Sequence, residues 1–183
     1  MRIERKSTIA LFVDMQEKLL PVIHEGYLVV ERAVLLLRGL NALGIPTVFL
    51  RQYPKGLGDT VTPLREIALE HAPFDKLAYS AMKDVAIATK FAQLRSEGAK
   101  NILVCGVESH ICVLQSCIDL KAVGFQPVLL SDCVGSRRSG EKIIALKRAE
   151  QEGVLLSTAE AILFELCVTA GTDEFKIISK LVR

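Results

Sequence analysis

One of the chain's five cysteines stands where a nucleophile would. Cys112 lies in Gly106-Val107-Glu108-Ser109-His110-Ile111-Cys112-Val113, after the apolar run Asn101-Ile102-Leu103-Val104-Cys105 and before an amphipathic stretch from Leu114 to Val123. Ser109 is the expected N-cap, which makes His110, Ile111 and Cys112 the first helical residues. Free backbone N–H groups and the positive end of the helix dipole would then surround the sulfur. Such surroundings stabilise a thiolate and any oxyanion forming beside it. The alternative is that Cys112 packs in the core, as most free cysteines do. Cys105 and Cys117, inside a strand and inside a helix, read that way. By its position Cys112 is expected to be the most reactive of the five near neutral pH, ahead of Cys105, Cys117, Cys133 and Cys167.

A cysteine nucleophile needs a base. His110 is a poor one, because residues two apart on a helix do not share a face. His24 and His71 fall in surface helix or loop context and read as solvated. A carboxylate is the remaining type. Asp14 ends the apolar run Thr8-Ile9-Ala10-Leu11-Phe12-Val13, where partial desolvation would raise its pKa. It could equally cap a short helix starting at Met15. Lys76 would lower the thiol pKa and orient the carboxylate; standing alone it would be a solvated loop lysine.

These residues converge if the chain is α/β. Helix-Gly-strand recurs at Gly44, Gly98, Gly124 and Gly153, the mark of a parallel sheet. The expected strands are Thr8 to Val13, Pro46 to Leu50, a brief Pro73 to Lys76, 101–106, Gln126 to Ser131 and Val154 to Leu156. Helices are expected over Tyr27 to Leu43, Pro63 to Glu70, Asp84 to Glu97, 109–123 and Gly140 to Glu152. Ser157 with Glu160 forms a capping box for a helix through Leu166, and the last ten residues read as helical. Residues 51–63, with Pro54, Gly56, Gly58 and Pro63, read as a functional loop. The expected architecture is a three-layer, doubly wound (Rossmann-like) sheet of about six mostly parallel strands, helices on both faces, forming one domain over 1–183. Such sheets bind ligands beyond the C-terminal strand ends, where strand order reverses. Asp14 and Cys112 would share that crevice, with Lys76 reaching it from the other side.

Composition excludes several classes. Half of the 183 residues are hydrophobic, as strands covered on both faces require. No apolar run reaches the ~18 residues of a membrane span, and no signal-peptide core is present. A net charge of +2 with scattered signs gives no nucleic-acid footprint, and Arg137-Arg138 reads as a solvated turn. An odd number of cysteines without a secretion signal argues for a reducing, cytoplasmic setting; an organellar address is compatible. No Cys-x-x-Cys, Gly-x-Gly-x-x-Gly or Walker-type loop occurs.

The segments Leu11-Phe12-Val13-Asp14-Met15-Gln16, Phe74-Asp75-Lys76-Leu77-Ala78-Tyr79-Ser80 and Val104 to Val113 together resemble the isochorismatase-like cysteine hydrolases. The resemblance covers nearly the whole chain, ending with Ser157 to Leu166, and Gln52-Tyr53-Pro54-Lys55-Gly56-Leu57-Gly58 points to the small isochorismatase-domain branch. It implies a six-stranded parallel sheet and an Asp–Lys–Cys triad carried by Asp14, Lys76 and Cys112. It also implies attack on an amide-like carbonyl of a small molecule, a thioester intermediate and release by water. Further implications are a cis Val107–Glu108 peptide, an oxyanion site at the N–H groups of Ile111 and Cys112, and a homo-oligomer. The substrate pocket would draw on Gln52, Tyr53, Phe74 and Tyr79. Family members named for isochorismate cleave a vinyl ether without a cysteine nucleophile, so Cys112 points away from that reaction. Nicotinamidases of the family carry a metal-binding Asp and paired His after the second strand. Arg51 to Gly58 holds neither, which points away from nicotinamide, and no metal or other cofactor is expected. The competing reading is a non-catalytic, redox-sensing thiol protein on the same scaffold. Asp14 and Lys76 separate the two, since a sensor has no use for a general base.

Overall fold

Six consecutive residues, Thr8–Val13, are buried on both sides, and only the centre of a sheet covered on both faces accommodates such a run. In the computed structural model, which describes residues 1–69 and 72–183, this strand is β1. The chain continues through α1 (Gly26–Leu43), β2 (Thr47–Gln52), the one-turn helices α2 (Pro54–Leu57) and α3 (Thr62–Arg65), and β3 (Phe74–Lys76). It then runs through α4 (Val85–Ser96), β4 (Asn101–Val107), a π-helical turn at Ser109–Val113, α5 (Leu114–Ala122) and β5 (Gln126–Gly135). Helix α6 (Ser139–Gln151), β6 (Leu155–Ser157), α7 (Ala159–Cys167) and α8 (Asp173–Leu181) complete it. The strand order is β3-β2-β1-β4-β5-β6, and every pairing is parallel. The chain winds outward from β1 through β2 to β3, then returns to place β4 on the other side of β1. The reversal therefore falls between β1 and β4, as expected.

Alternation along β1 divides the core. Ala10 and Phe12 face one apolar layer with Leu36 and Leu40 of α1, Leu163 of α7 and Ile178 of α8. Ile9, Leu11 and Val13 face the other, with Ile87 and Phe91 of α4 and Cys117 and Leu120 of α5. Phe12 also stacks on Phe49 of β2 at 4.7 Å between ring centroids, a contact worth roughly 0.5–1.5 kcal/mol beyond its burial. Gly106 has φ 127°, and a Cβ there would lie 2.0 Å from the Val13 carbonyl oxygen. Only glycine lets the end of β4 lie this close to the end of β1.

Several boundaries differ from expectation. Ser109 is not an N-cap: it begins the π turn, and its buried hydroxyl donates to the Gly135 carbonyl at 2.9 Å. Strand β5 runs past the polar Ser131 and Asp132 to Gly135, because a bulge sets Gly106 opposite Val134 while Val104 stays opposite Leu129. Thr158, not Ser157, caps α7, accepting from the Ala161 N–H. The helix expected over Pro63 to Glu70 is the single turn α3, ending at Arg65; Glu70 and His71 lie outside the described residues. Among the described residues no helix is long and apolar enough to cross a membrane.

Candidate active site

At the end of β1 the chain turns left-handed at Asp14 (φ 52°), and the Gln16 N–H closes back onto the Asp14 carbonyl at 2.8 Å. No helix starts at Met15, so Asp14 is not a helix cap. Its carboxylate is fully buried instead. One oxygen, Oδ2, accepts from the Lys76 ammonium at 2.8 Å, while Oδ1 accepts no hydrogen bond. Lys76, at the end of β3, has a side chain with no exposure and is no solvated lysine. Its Nζ also donates to Gln52 Oε1 at 2.6 Å.

Cys112, in the π turn after β4, is 7% exposed and forms part of the apolar layer under α4 and α5. Its thiol lies close enough to Asp14 and Lys76 for both charges to act on it. Both readings of this cysteine thus hold: it packs in the core and it meets an acid and an amine. Burial pushes the Asp14 carboxyl upward from 3.8, and the charge and hydrogen bond of Lys76 pull only part of the way back. Burial, then the Asp14 charge, push the Cys112 thiol up to about 12, against the opposing pull of Lys76. The thiol is therefore protonated at rest, contrary to the expected lowering by a helix terminus.

The turn holding Cys112 is braced from below. The Val107–Glu108 peptide is cis. The buried Glu108 carboxylate accepts the Arg137 N–H at 2.9 Å and lies 3.2 Å from its Nε, so Arg137 is not merely a solvated turn residue. His110 turns away from the sulfur: Nδ1 sits 3.0 Å from Ser136 Oγ and Nε2 4.0 Å from Glu141. The Ile111 N–H donates to the Glu108 carbonyl at 3.0 Å, so it is not a free oxyanion donor.

Four residues were expected to line the pocket. Gln52 faces inward to Lys76, and its Nε2 donates to the Leu77 carbonyl at 2.8 Å, which engages both ends of the amide. Tyr53 lines a cleft of about 560 Å³ with Lys55, Leu77, Lys83 and the backbone side of Lys76. Phe74 packs against the apolar layer of α4 and α5, and Tyr79 is exposed. Of the four, only Gln52 has a side-chain hydrogen bond to Lys76.

Sequence reasoning gave no role to Gln16, although the residue lies in the motif around Asp14. It is completely buried and bridges the Asp14 turn to the loop after β2. An amide two residues after an acid, inside an apolar stretch, was the available signal. That loop is further fixed by Arg51, which pairs with Asp59 at 2.8 Å and Asp75 at 2.7 Å, while Arg65 also holds Asp59 at 2.9 Å. Asp59, directly after the stretch Arg51 to Gly58, is thereby committed to guanidinium groups. Among the described residues, no three His, Cys, Asp or Glu side chains are grouped to hold a metal.

Known proteins share this arrangement of elements. The chain is 35% identical over 182 residues to isochorismatase domain-containing protein 2 of Danio rerio, covering 99% of this chain and 89% of that protein. The solved structure of the MAR1 ribonuclease from Caenorhabditis elegans matches with a TM-score of 0.91 at 32% identity, over 100% of this chain and 92% of that one. The YcaC product of Escherichia coli, described as an octameric hydrolase of unknown specificity, has the same fold, with a TM-score of 0.90 at 19% identity over 99% and 89% of the two chains. An isochorismatase domain model matches residues 8–161, from the first residue of β1 into α7, and the chain accordingly belongs to the isochorismatase family of hydrolases.

Proposed function

We propose that the protein is a cysteine-dependent hydrolase of an amide-like C–N bond in a small molecule, with Asp14, Lys76 and Cys112 as its catalytic groups. The observation that carries this reading is the buried Asp14–Lys76 pair beside the Cys112 thiol, with Asp14 Oδ1 left without a hydrogen bond. Oδ1 takes the thiol proton as sulfur attacks the carbonyl carbon. The Cys112 N–H stabilises the resulting oxyanion. Collapse breaks the C–N bond, and Asp14 returns the proton to the leaving amine. Asp14 then deprotonates the water that attacks the thioester, and the proton passes back to sulfur as the acid leaves. Lys76 keeps a positive charge beside both groups and holds the carboxylate in place.

A thiol held near 12 disfavours the sensing alternative, because oxidants react with thiolates. The chemistry requires neither a nucleic acid nor a membrane. A homo-oligomer in a reducing, cytoplasmic compartment completes the reading; five free cysteines and exposed apolar side chains such as Tyr27, Leu77 and Val85 support it.

The test is ammonia release from a panel of small primary amides, run beside a single-stranded RNA substrate because the Caenorhabditis elegans relative carries the name of a ribonuclease. Ammonia release that disappears in Cys112→Ser is expected. RNA cleavage that persists in Cys112→Ser, with no amide hydrolysed, would overturn the proposal.

A further inference from the structure

A lysine ammonium has three N–H donors. Two of those of Lys76 are engaged, by Asp14 Oδ2 at 2.8 Å and Gln52 Oε1 at 2.6 Å, and its charge acts on the neighbouring Cys112 thiol. The lysine side chain has no exposure, so these contacts define where its charge points. Gln52 cannot present its other end, because Nε2 is held by the Leu77 carbonyl at 2.8 Å and a reversed amide would set N–H groups against the ammonium. The Gln52 backbone is held in turn. Its N–H donates to Gln16 Oε1 at 2.7 Å, and Gln16 Nε2 donates to the Gln52 carbonyl at 3.0 Å and the Gly58 carbonyl at 2.7 Å. All the amide groups of the buried Gln16 are thereby used to hold the C-terminal end of β2 and the loop beyond it.

We propose that Gln52 and Gln16 are positioning residues: Gln52 fixes one corner of the Lys76 ammonium so that its charge stays beside Cys112, and Gln16 clamps Gln52 to the Asp14 turn. This rests on the reading that the Cys112 thiolate is the attacking group. The device explains why one stretch, Asp14 to Gln16, supplies both an acid and an amide. The carboxylate holds one corner of the ammonium directly, and the amide holds a second corner through the neighbouring strand. Loss of the Gln52 amide frees the ammonium to turn about its bond to Asp14 and carries its charge away from the sulfur.

Alkylation by iodoacetamide, followed by peptide mapping over a range of pH, reads thiolate formation without any substrate. Gln52→Met and Gln16→Leu are expected to lower the Cys112 rate about tenfold at each pH below its midpoint, a displacement of about one pH unit. Cys167, which is partly exposed on α7 and remote in sequence from the network, is expected to react at an unchanged rate in the same molecules. Gln52 is partly exposed and its backbone clamp survives Gln52→Met, so this variant keeps the test open if Gln16→Leu fails to fold. A wild-type Cys112 profile in Gln52→Met overturns the proposal. So does a variant that exposes Cys105, Cys117 and Cys133 to reagent without slowing Cys112, since that is the mark of a purely structural amide. Failure of the wild type to hydrolyse any amide would remove the proposed reaction and leave this result standing.

Discussion

At Cys112 two charges pull the thiol in opposite directions, Asp14 upward and Lys76 downward. Their removal should therefore have opposite effects on sulfur chemistry. Asp14→Asn keeps the shape of the site, removes the anion and the base, and should lower hydrolysis by ~10²–10⁴-fold while speeding Cys112 alkylation. Lys76→Ala should slow both. A dependence on pH follows from the same groups. Asp14 must be ionised to act, and its pKa is raised from 3.8, so kcat/KM should rise through an acid limb lying above the ordinary carboxylate range. Lys76 opposes that rise, so the limb should move to still higher pH in Lys76→Ala. The Cys112 thiol itself titrates near 12 and should cause no alkaline loss in the neutral range. Alkylation rates and kcat/KM against pH for the three proteins check all of this.

At the scale of elements, precision comes from places where two strand ends nearly touch. Gly106 is one. Gly106→Ala would drive a methyl group into the Val13 carbonyl in a backbone conformation alanine avoids, and should cost roughly 2–4 kcal/mol in urea unfolding, with loss of alignment between Asp14 and Cys112. Helix capping gives a second, smaller test. Thr158 accepts the Ala161 N–H at 3.3 Å, so Thr158→Ala should destabilise by about 1 kcal/mol and Ser157→Ala by much less. The capping-box spacing had selected Ser157. Strand β6 extends through that residue, and its pairing with Leu130 displaces the cap by one position.

Across the whole molecule, the two apolar layers protect the thiols unequally. Cys105 and Cys133 lie in the layer under α1, Cys117 in the layer under α5, and burial pushes all three upward. Cys167 is the least buried of the five. Native labelling should therefore reach Cys167 first and Cys112 next, with Cys105, Cys117 and Cys133 reacting only as the fold opens. This reverses the order expected from sequence, in which Cys112 came first. Thiol counting in native buffer and in denaturant checks the order, and labelling of Cys105, Cys117 and Cys133 in native protein would refute it.

The periodic succession of apolar runs, amphipathic segments and helix-ending glycines determined the parallel α/β sheet, because those signals act within a few residues of one another. The same local reading singled out Asp14, at the C-terminal end of one apolar run, and Cys112, in the strand-to-helix turn after another. Tertiary structure decided what those groups experience. Lys76 reads locally as a loop lysine; pairing of β3 with β2 places it beside Asp14, 62 positions away in sequence. The left-handed turn at Asp14 and the π turn at Cys112 depend on close packing of β1, β4 and the β5 bulge, which no residue spacing encodes. The thiol's rise to about 12 is likewise a property of the assembled site, because desolvation and the Asp14 charge act through space, where sequence position does not reveal them.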